Sequence, residues 1–145
     1  MIAGSNKRRT FTDGEPLRSA TVTLGKTQAE LGERAVGFNC LNYATDPEAT
    51  LYRQFMPEKS YLDANCKDGL RLELMFPSCW NGKDTQADDH KSHVAYPDQV
   101  MNGNCPDSHP VRLPGLLFET IWGTDAFEGR DGMFVMSNGD PTGTC

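Results

Sequence analysis

Between residues 70 and 76 apolar and polar side chains alternate. Leu70, Leu72, Leu74 and Phe76 fall on one face, and Arg71, Glu73 and Met75 on the other. A period of two is the pattern of a half-buried strand. Pro77 ends it, because proline cannot donate to a strand ladder. Val111 to Trp122 reads as a second, longer strand in which Pro114-Gly115 introduces a bend or a bulge. Phe134-Val-Met-Ser137 forms a third extended run that leads into Asn138-Gly139, a strong turn signal. Thr27-Gln-Ala-Glu30 has the spacing of a capping box, which predicts a short helix over 28–34, limited by Gly32 and Gly37. Residues 1–20 are polar and weakly patterned, and residues 44–69 read as a long polar loop. No repeat, low-complexity tract or linker divides the chain. The pattern predicts one domain over residues 1–145, mainly β, with a β-sandwich or jelly-roll-like core. Long loops pinned by disulfides and at most one or two short helices complete it.

Composition narrows the functional classes. Fourteen glycines and nine prolines argue against a helical bundle. A hydrophobic fraction of 37% and a mean hydropathy of −0.56 fit a polar protein with much loop. The net charge of −6 disfavours nucleic-acid binding, and the basic run Lys7-Arg8-Arg9 is too short to reverse this. No segment approaches the roughly 20 apolar residues needed to span a bilayer. The five cysteines, Cys40, Cys66, Cys79, Cys105 and Cys145, include no C-x-x-C pair and look like a disulfide framework from an oxidising compartment. MIAGSNKRR lacks the apolar core of a signal peptide, so a mature or truncated piece is expected.

Three groups of residues are candidates for chemistry. On an unbroken strand Glu119 shares a face with Val111, Leu113, Leu117 and Ile121. A carboxylate among apolar neighbours resists ionisation, and a raised carboxyl suits a general acid. The alternatives are a buried ion pair with Arg112 or Arg71, or a phase shift at Pro114-Gly115 that exposes Glu119. The second group is the segment DHKSHVAYP, which holds Asp89, His90, Lys91 and His93. Its imidazoles can act as acid–base groups, hydrogen-bond a substrate or ligate a metal, and His109 can converge on them. A catalytic zinc needs three protein ligands, so two histidines do not make one, and no metal or cofactor is expected. An exposed polar loop with ordinary histidines is the plain alternative. Ser92 lies beside a histidine without a G-x-S-x-G elbow, which excludes a serine hydrolase of that type. The third group is aromatic. Trp80 and Tyr96, beside polar loop residues, suit stacking on sugar rings, whereas Trp122 ends an apolar strand and reads as core.

The strings GFNCLNY, CKDGLRLELMFPSCWNGK, DDHKSHVAYP, CPDSHPVRLPGLLFETIW and SNGDPTG follow in this order from about Gly37 to Thr142. Together they resemble the domain-of-unknown-function family of secreted fungal proteins often fused to WSC carbohydrate-binding modules. Members of that family continue upstream with a histidine-containing segment, so the resemblance implies that this chain is the C-terminal part of a longer secreted domain. It also implies an extracellular or cell-wall setting and a polysaccharide partner. The expected function is glycan cleavage by a glycoside hydrolase, with Glu119 paired to Asp89 or Asp140 across the scissile bond. His90 and His93 would orient substrate or tune an acid, and Trp80, Lys91, Tyr96 and His109 would bind it. The alternatives are a non-catalytic wall-binding module and a structural surface protein. The expected disulfides are Cys40–Cys66 and Cys79–Cys105, each enclosing a polar loop and pinning it to a strand end, with Cys145 left over.

Overall fold

The computed structural model describes residues 1–4 and 27–136. Asn138, Gly139, Asp140 and Cys145 lie outside the described residues. The fold is mainly β. Its elements are helix α1 (Gln28–Arg34), strand β1 (Val36–Cys40), helix α2 (Lys59–Asn65), and strands β2 (Leu70–Met75), β3 (Cys79–Trp80), β4 (Val94–Ala95), β5 (Val111–Arg112) and β6 (Leu117–Trp122). A 3-10 turn follows at Thr124–Phe127. The strands form two three-stranded sheets, in the orders β1-β2-β6 and β4-β3-β5. The described residues divide into two compact units, one of residues 1–4, 27–36 and 74–118, the other of residues 37–73 and 119–136.

In the first unit, α1 starts where the capping box predicts. The Thr27 hydroxyl accepts from the Glu30 N–H at 3.3 Å, and the Glu30 carboxylate accepts from the Thr27 N–H at 2.8 Å. These reciprocal bonds satisfy N–H groups that the first helical turn leaves without partners. Strand β3 is the centre of its sheet, with Cys79 opposite Ala95 on one side and Arg112 on the other, both pairings antiparallel. The long strand expected from Val111 to Trp122 is instead two strands in two sheets. Proline at 114 cannot donate to a ladder, and a Cβ added at Gly115 would lie 2.9 Å from Met75 Cε, so this pair lets the chain leave one sheet before joining the other.

In the second unit, the polar stretch read as loop contains α2. Lys59 and Asp63 form an ion pair one turn apart at 2.7 Å, and Leu62 is the helix's buried residue. Strand β1 follows no alternation in sequence because nearly every residue is buried. Strand β2 occupies the predicted residues, but its burial departs from the alternation: Leu70, Glu73 and Met75 are buried while Leu72 is partly open. All six residues of β6 are exposed, and Trp122, expected in the core, is 57% exposed. Among the described residues β6 lies at the edge of its sheet, with β2 as its strand neighbour, which leaves its side chains open. Phe134 to Met136 are not a strand. Phe134 instead meets Phe127 edge-on, with ring centroids 5.9 Å apart.

Both expected disulfides are present, one in each unit. Cys40–Cys66 joins the end of β1 to the C-cap of α2, and Cys79–Cys105 joins the start of β3 to the loop before β5. Each spans 26 positions of sequence. A crosslink of that span stabilises by about 2–4 kcal/mol, largely by restricting the unfolded chain. The double substitution Cys79→Ala/Cys105→Ala is therefore expected to lower unfolding stability by that amount in a urea titration. A loss below about 0.5 kcal/mol would show that the loop is held without the bridge.

Candidate functional site

In the first unit the polar candidates gather on the connection between β3 and β4. Trp80 is half-buried, and its indole N–H donates to Asp84 O at 2.7 Å, which fixes the ring. Asn81 builds the turn beneath it. Its Oδ1 accepts from the backbone N–H groups of Lys83 and Asp84, and its amide donates to Asp84 Oδ2 at 2.9 Å. Asp89 builds the next turn in the same way, accepting from the Ser92 and Lys91 N–H groups at 2.8 and 2.9 Å and from the Ser92 hydroxyl at 3.0 Å. These bonds, that of the Ser92 N–H foremost, hold the Asp89 carboxyl down to about 2. Asp89 is thus a fixed anion and a turn builder, not a proton donor near neutral pH.

The two histidines of this segment part company. His90 takes a left-handed backbone conformation, φ 55°, and is exposed, with Nδ1 3.3 Å from the Gln86 amide. His93 is 6% exposed, and its Nδ1 has no hydrogen-bond partner among the described residues. Three residues apart, the two rings thus lie in different environments. His109 does converge: its Nε2 donates to Ser92 O at 3.0 Å, and the Ser108 hydroxyl lies 2.9 Å from its Nδ1. The carbonyl partner fixes the Nε2–H tautomer. Lys91 is exposed on the same loop. Among the described residues, no three His, Cys, Asp or Glu side chains are placed to hold a metal ion.

Tyr96 corrects an expectation. It is 6% exposed, so its ring offers no stacking surface. Its hydroxyl donates to Met75 O and accepts from the Gly4 N–H, both at 2.8 Å. Burial pushes the phenol up to about 12.

Glu119 corrects another. Its side chain is 38% exposed rather than enclosed by apolar neighbours, and it lies 3.2 Å from Arg71 Nε. The ion pair with Arg71 is the one of the two considered that forms. Arg112 instead donates to the carbonyls of Gly103 and Met101, tying down the loop before β5. The buried carboxylate of this sheet is Glu73, whose side chain is fully enclosed. It accepts from the Leu51 N–H at 2.6 Å and from Arg71 at 2.7 and 3.0 Å. Desolvation raises its carboxyl above 4.5, against the lowering effect of the Leu51 N–H and the Arg71 guanidinium. Gly37 makes room, because a Cβ there would stand 2.5 Å from Glu73 Oε2. The sequence signal was therefore present in Gly37, but nothing in one sequence links it to residue 73.

The second unit also contains an apolar cleft of about 370 Å³, lined by Leu70, Leu72, Trp122, Thr124, Phe127 and Phe134 among others. Sequence reasoning placed the leucines in the core and missed the cleft.

Fold and loops together define a mainly β, disulfide-bonded domain with a preorganised polar loop face. Residues 1–145 match the model of a family described as a domain of unknown function, DUF1996, and the chain belongs to that family. Comparison with curated proteins gives no match, and neither does comparison with solved structures.

The burial of Glu73 has a testable pH signature. A carboxyl raised in the folded state binds its proton more tightly there than in the unfolded chain. Its stabilising contribution is complete below about pH 4.5 and is lost as pH rises through the folded value. Glu73→Gln does not titrate and is expected to cost about 1–3 kcal/mol at low pH through the altered hydrogen bonds. Wild type should then lose stability relative to the variant as pH rises, in urea unfolding followed across the acid range. A difference that stays flat or grows would show that the carboxylate is not desolvated.

Proposed function

We propose that this domain is an extracellular glycan-binding module, in which the loop between β3 and β4 grips a polysaccharide. The observation that carries the reading is the half-buried Trp80 ring, locked by its bond to Asp84 O at the base of a loop rich in exposed polar side chains. An aromatic face supplies apolar contact to a sugar ring, and neighbouring donors supply selectivity. Lys83, Gln86, His90 and Lys91 are exposed donors on this loop. The two Asx-type turns at Asn81 and Asp89 order the loop before any ligand arrives, which lowers the entropic cost of binding. The disulfides fit an oxidising, extracellular setting.

Binding is favoured over hydrolysis by the state of the carboxylates. Cleavage needs two accessible acids, one able to give up a proton near working pH. Asp89 is held ionised, Glu73 is enclosed with both oxygens engaged, and Glu119 is paired with Arg71. Asp140 lies outside the described residues.

The test is retention on insoluble fungal wall polysaccharides, chitin and β-glucan, with soluble products assayed in the same tubes. Wild type should be retained without releasing reducing ends. Trp80→Ala, checked for native circular dichroism, should bind about tenfold or more weakly, as expected for loss of an aromatic anchor. Undiminished retention of Trp80→Ala would sink this site. Steady release of reducing ends, abolished in Glu119→Gln, would replace binding with hydrolysis as the function.

A further inference from the structure

Residues 1–4 belong to the first unit, yet they add little to its core: Met1 and Ile2 are 53% and 50% exposed. What they bring is two backbone donors. The Ile2 N–H donates to His90 O, and the Gly4 N–H donates to the Tyr96 hydroxyl, each at 2.8 Å.

The seat of this segment is shaped by missing side chains. Gly4 takes a left-handed conformation, φ 69°, which glycine adopts without strain. A Cβ added there would lie 2.8 Å from Leu74 Cδ1 and 2.9 Å from Val36 Cγ2, closer than packed carbon atoms approach. Gly32 of α1 faces it, since a Cβ at Gly32 would stand 3.4 Å from Gly4 O. Tyr96 is a fixed post for the same segment. Gln28 holds its backbone, accepting from the Tyr96 N–H at 2.8 Å and donating to Tyr96 O at 2.9 Å. The hydroxyl also donates to Met75 O, so the acceptor offered to Gly4 stays in place.

At its other end the segment meets His90, a non-glycine residue held at a φ of 55°. Such a conformation carries a cost and persists where surrounding bonds over-determine it. The His90 N–H donates to Ala87 O at 2.9 Å, while the His90 carbonyl accepts from Ile2. The bonds that Asp89 makes to Lys91 and Ser92, and the contact of Gln86 with His90, are internal to the loop. A loop bonded mainly to itself can swing as a unit, and bonds from outside stop it. Ile2 and His109 supply such bonds, at His90 O and Ser92 O.

We infer that residues 1–4 are a strap that holds the His90 turn in place within the loop of Trp80, with Gly4 and Tyr96 as positioning residues. The consequence for glycan rests on the binding function proposed above; the hold on the loop does not.

Ile2→Pro tests the strap in the full chain, because it removes the donor to His90 while altering an exposed side chain. Ile2→Ala keeps the N–H and serves as the control. Amide hydrogen exchange at His90, Lys91 and Ser92, read by NMR, should be about tenfold faster in Ile2→Pro, the worth of one hydrogen bond. Ile2→Ala should match wild type, and the Leu62 and Cys66 amides, bonded within and at the end of α2, should not change in either variant. Gly4→Ala, which closes the seat, should reproduce the effect of the proline. Retention of Ile2→Pro on chitin or β-glucan, whichever holds wild type, should fall by a similar factor. The proposal is overturned if the loop amides of Ile2→Pro exchange at the wild-type rate, if Ile2→Ala is as fast, or if α2 speeds up in step. It is equally overturned if glycan retention is unchanged despite a looser loop. Wild type that binds neither polysaccharide sinks the binding function alone, and the exchange rates then still decide the strap.

Discussion

A carboxylate fully removed from water sets the arrangement of the second unit. Glu73 tolerates burial because its oxygens are met by the Leu51 N–H and the Arg71 guanidinium, and because Gly37 carries no side chain to displace it. Leu51 is held there in a left-handed conformation, φ 56°, which a leucine adopts at a cost. The charged hydrogen bond from its N–H helps offset that cost, since bonds to ionised groups are stronger than neutral ones. Arg71 then reaches Glu119 with the same guanidinium. The carboxylate therefore ties β1, β2, the chain at residue 51 and β6 into one electrostatic cluster. Removing Arg71 would leave Glu73 buried with the Leu51 N–H as its remaining hydrogen-bond partner among the described residues, and Glu119 without its ion pair.

This cluster also explains why the alternation in β2 gave the right strand and the wrong surface. Period two fixes which residues share a face, and that assignment holds. It does not decide which face is covered. Glu73 lies under Leu51 and beside Gly37, while Leu72 is partly open to the cleft. Elements with a local cause were legible. The capping box of α1 is complete within a few residues, and each cysteine pair brackets a polar loop. Elements with a non-local cause were not. Strand β1 is buried nearly throughout, so it lacks alternation, and β3 and β4 are two residues each, shorter than any periodic signal. Helix α2 is seven residues long and has no side-chain cap to announce it.

The candidate site was legible in composition but not in geometry. The segment DHKSHVAYP does form an exposed turn with His109 drawn to it, and Trp80 does sit at its base. Its members nevertheless fall into different environments within a few residues, His90 outside and His93 and Tyr96 inside. The chain passes through a left-handed turn at His90 between the two environments, which no pattern of polarity reveals. Glu119 failed for a different reason: the long strand expected is broken at Pro114-Gly115, and among the described residues the part that carries Glu119 lies at a sheet edge beside β2.

What the acids do bears on what the loops can hold. The chain carries twenty acidic side chains and a net charge of −6. Many of the acids near the loops are engaged with backbone N–H groups: Asp89 with Ser92, Asp98 with Asn104, Asp68 with Tyr43, Glu48 with Cys40. Each such bond orders a turn and lowers the availability of that carboxylate to a ligand. Around Trp80 the exposed groups are of both signs, Lys83, His90 and Lys91 beside Asp84, Asp88 and Asp89. A mixed hydrogen-bonding surface of this kind suits the neutral polyol of the proposed glycan better than a phosphate or a uronate, which the net charge of −6 repels at longer range.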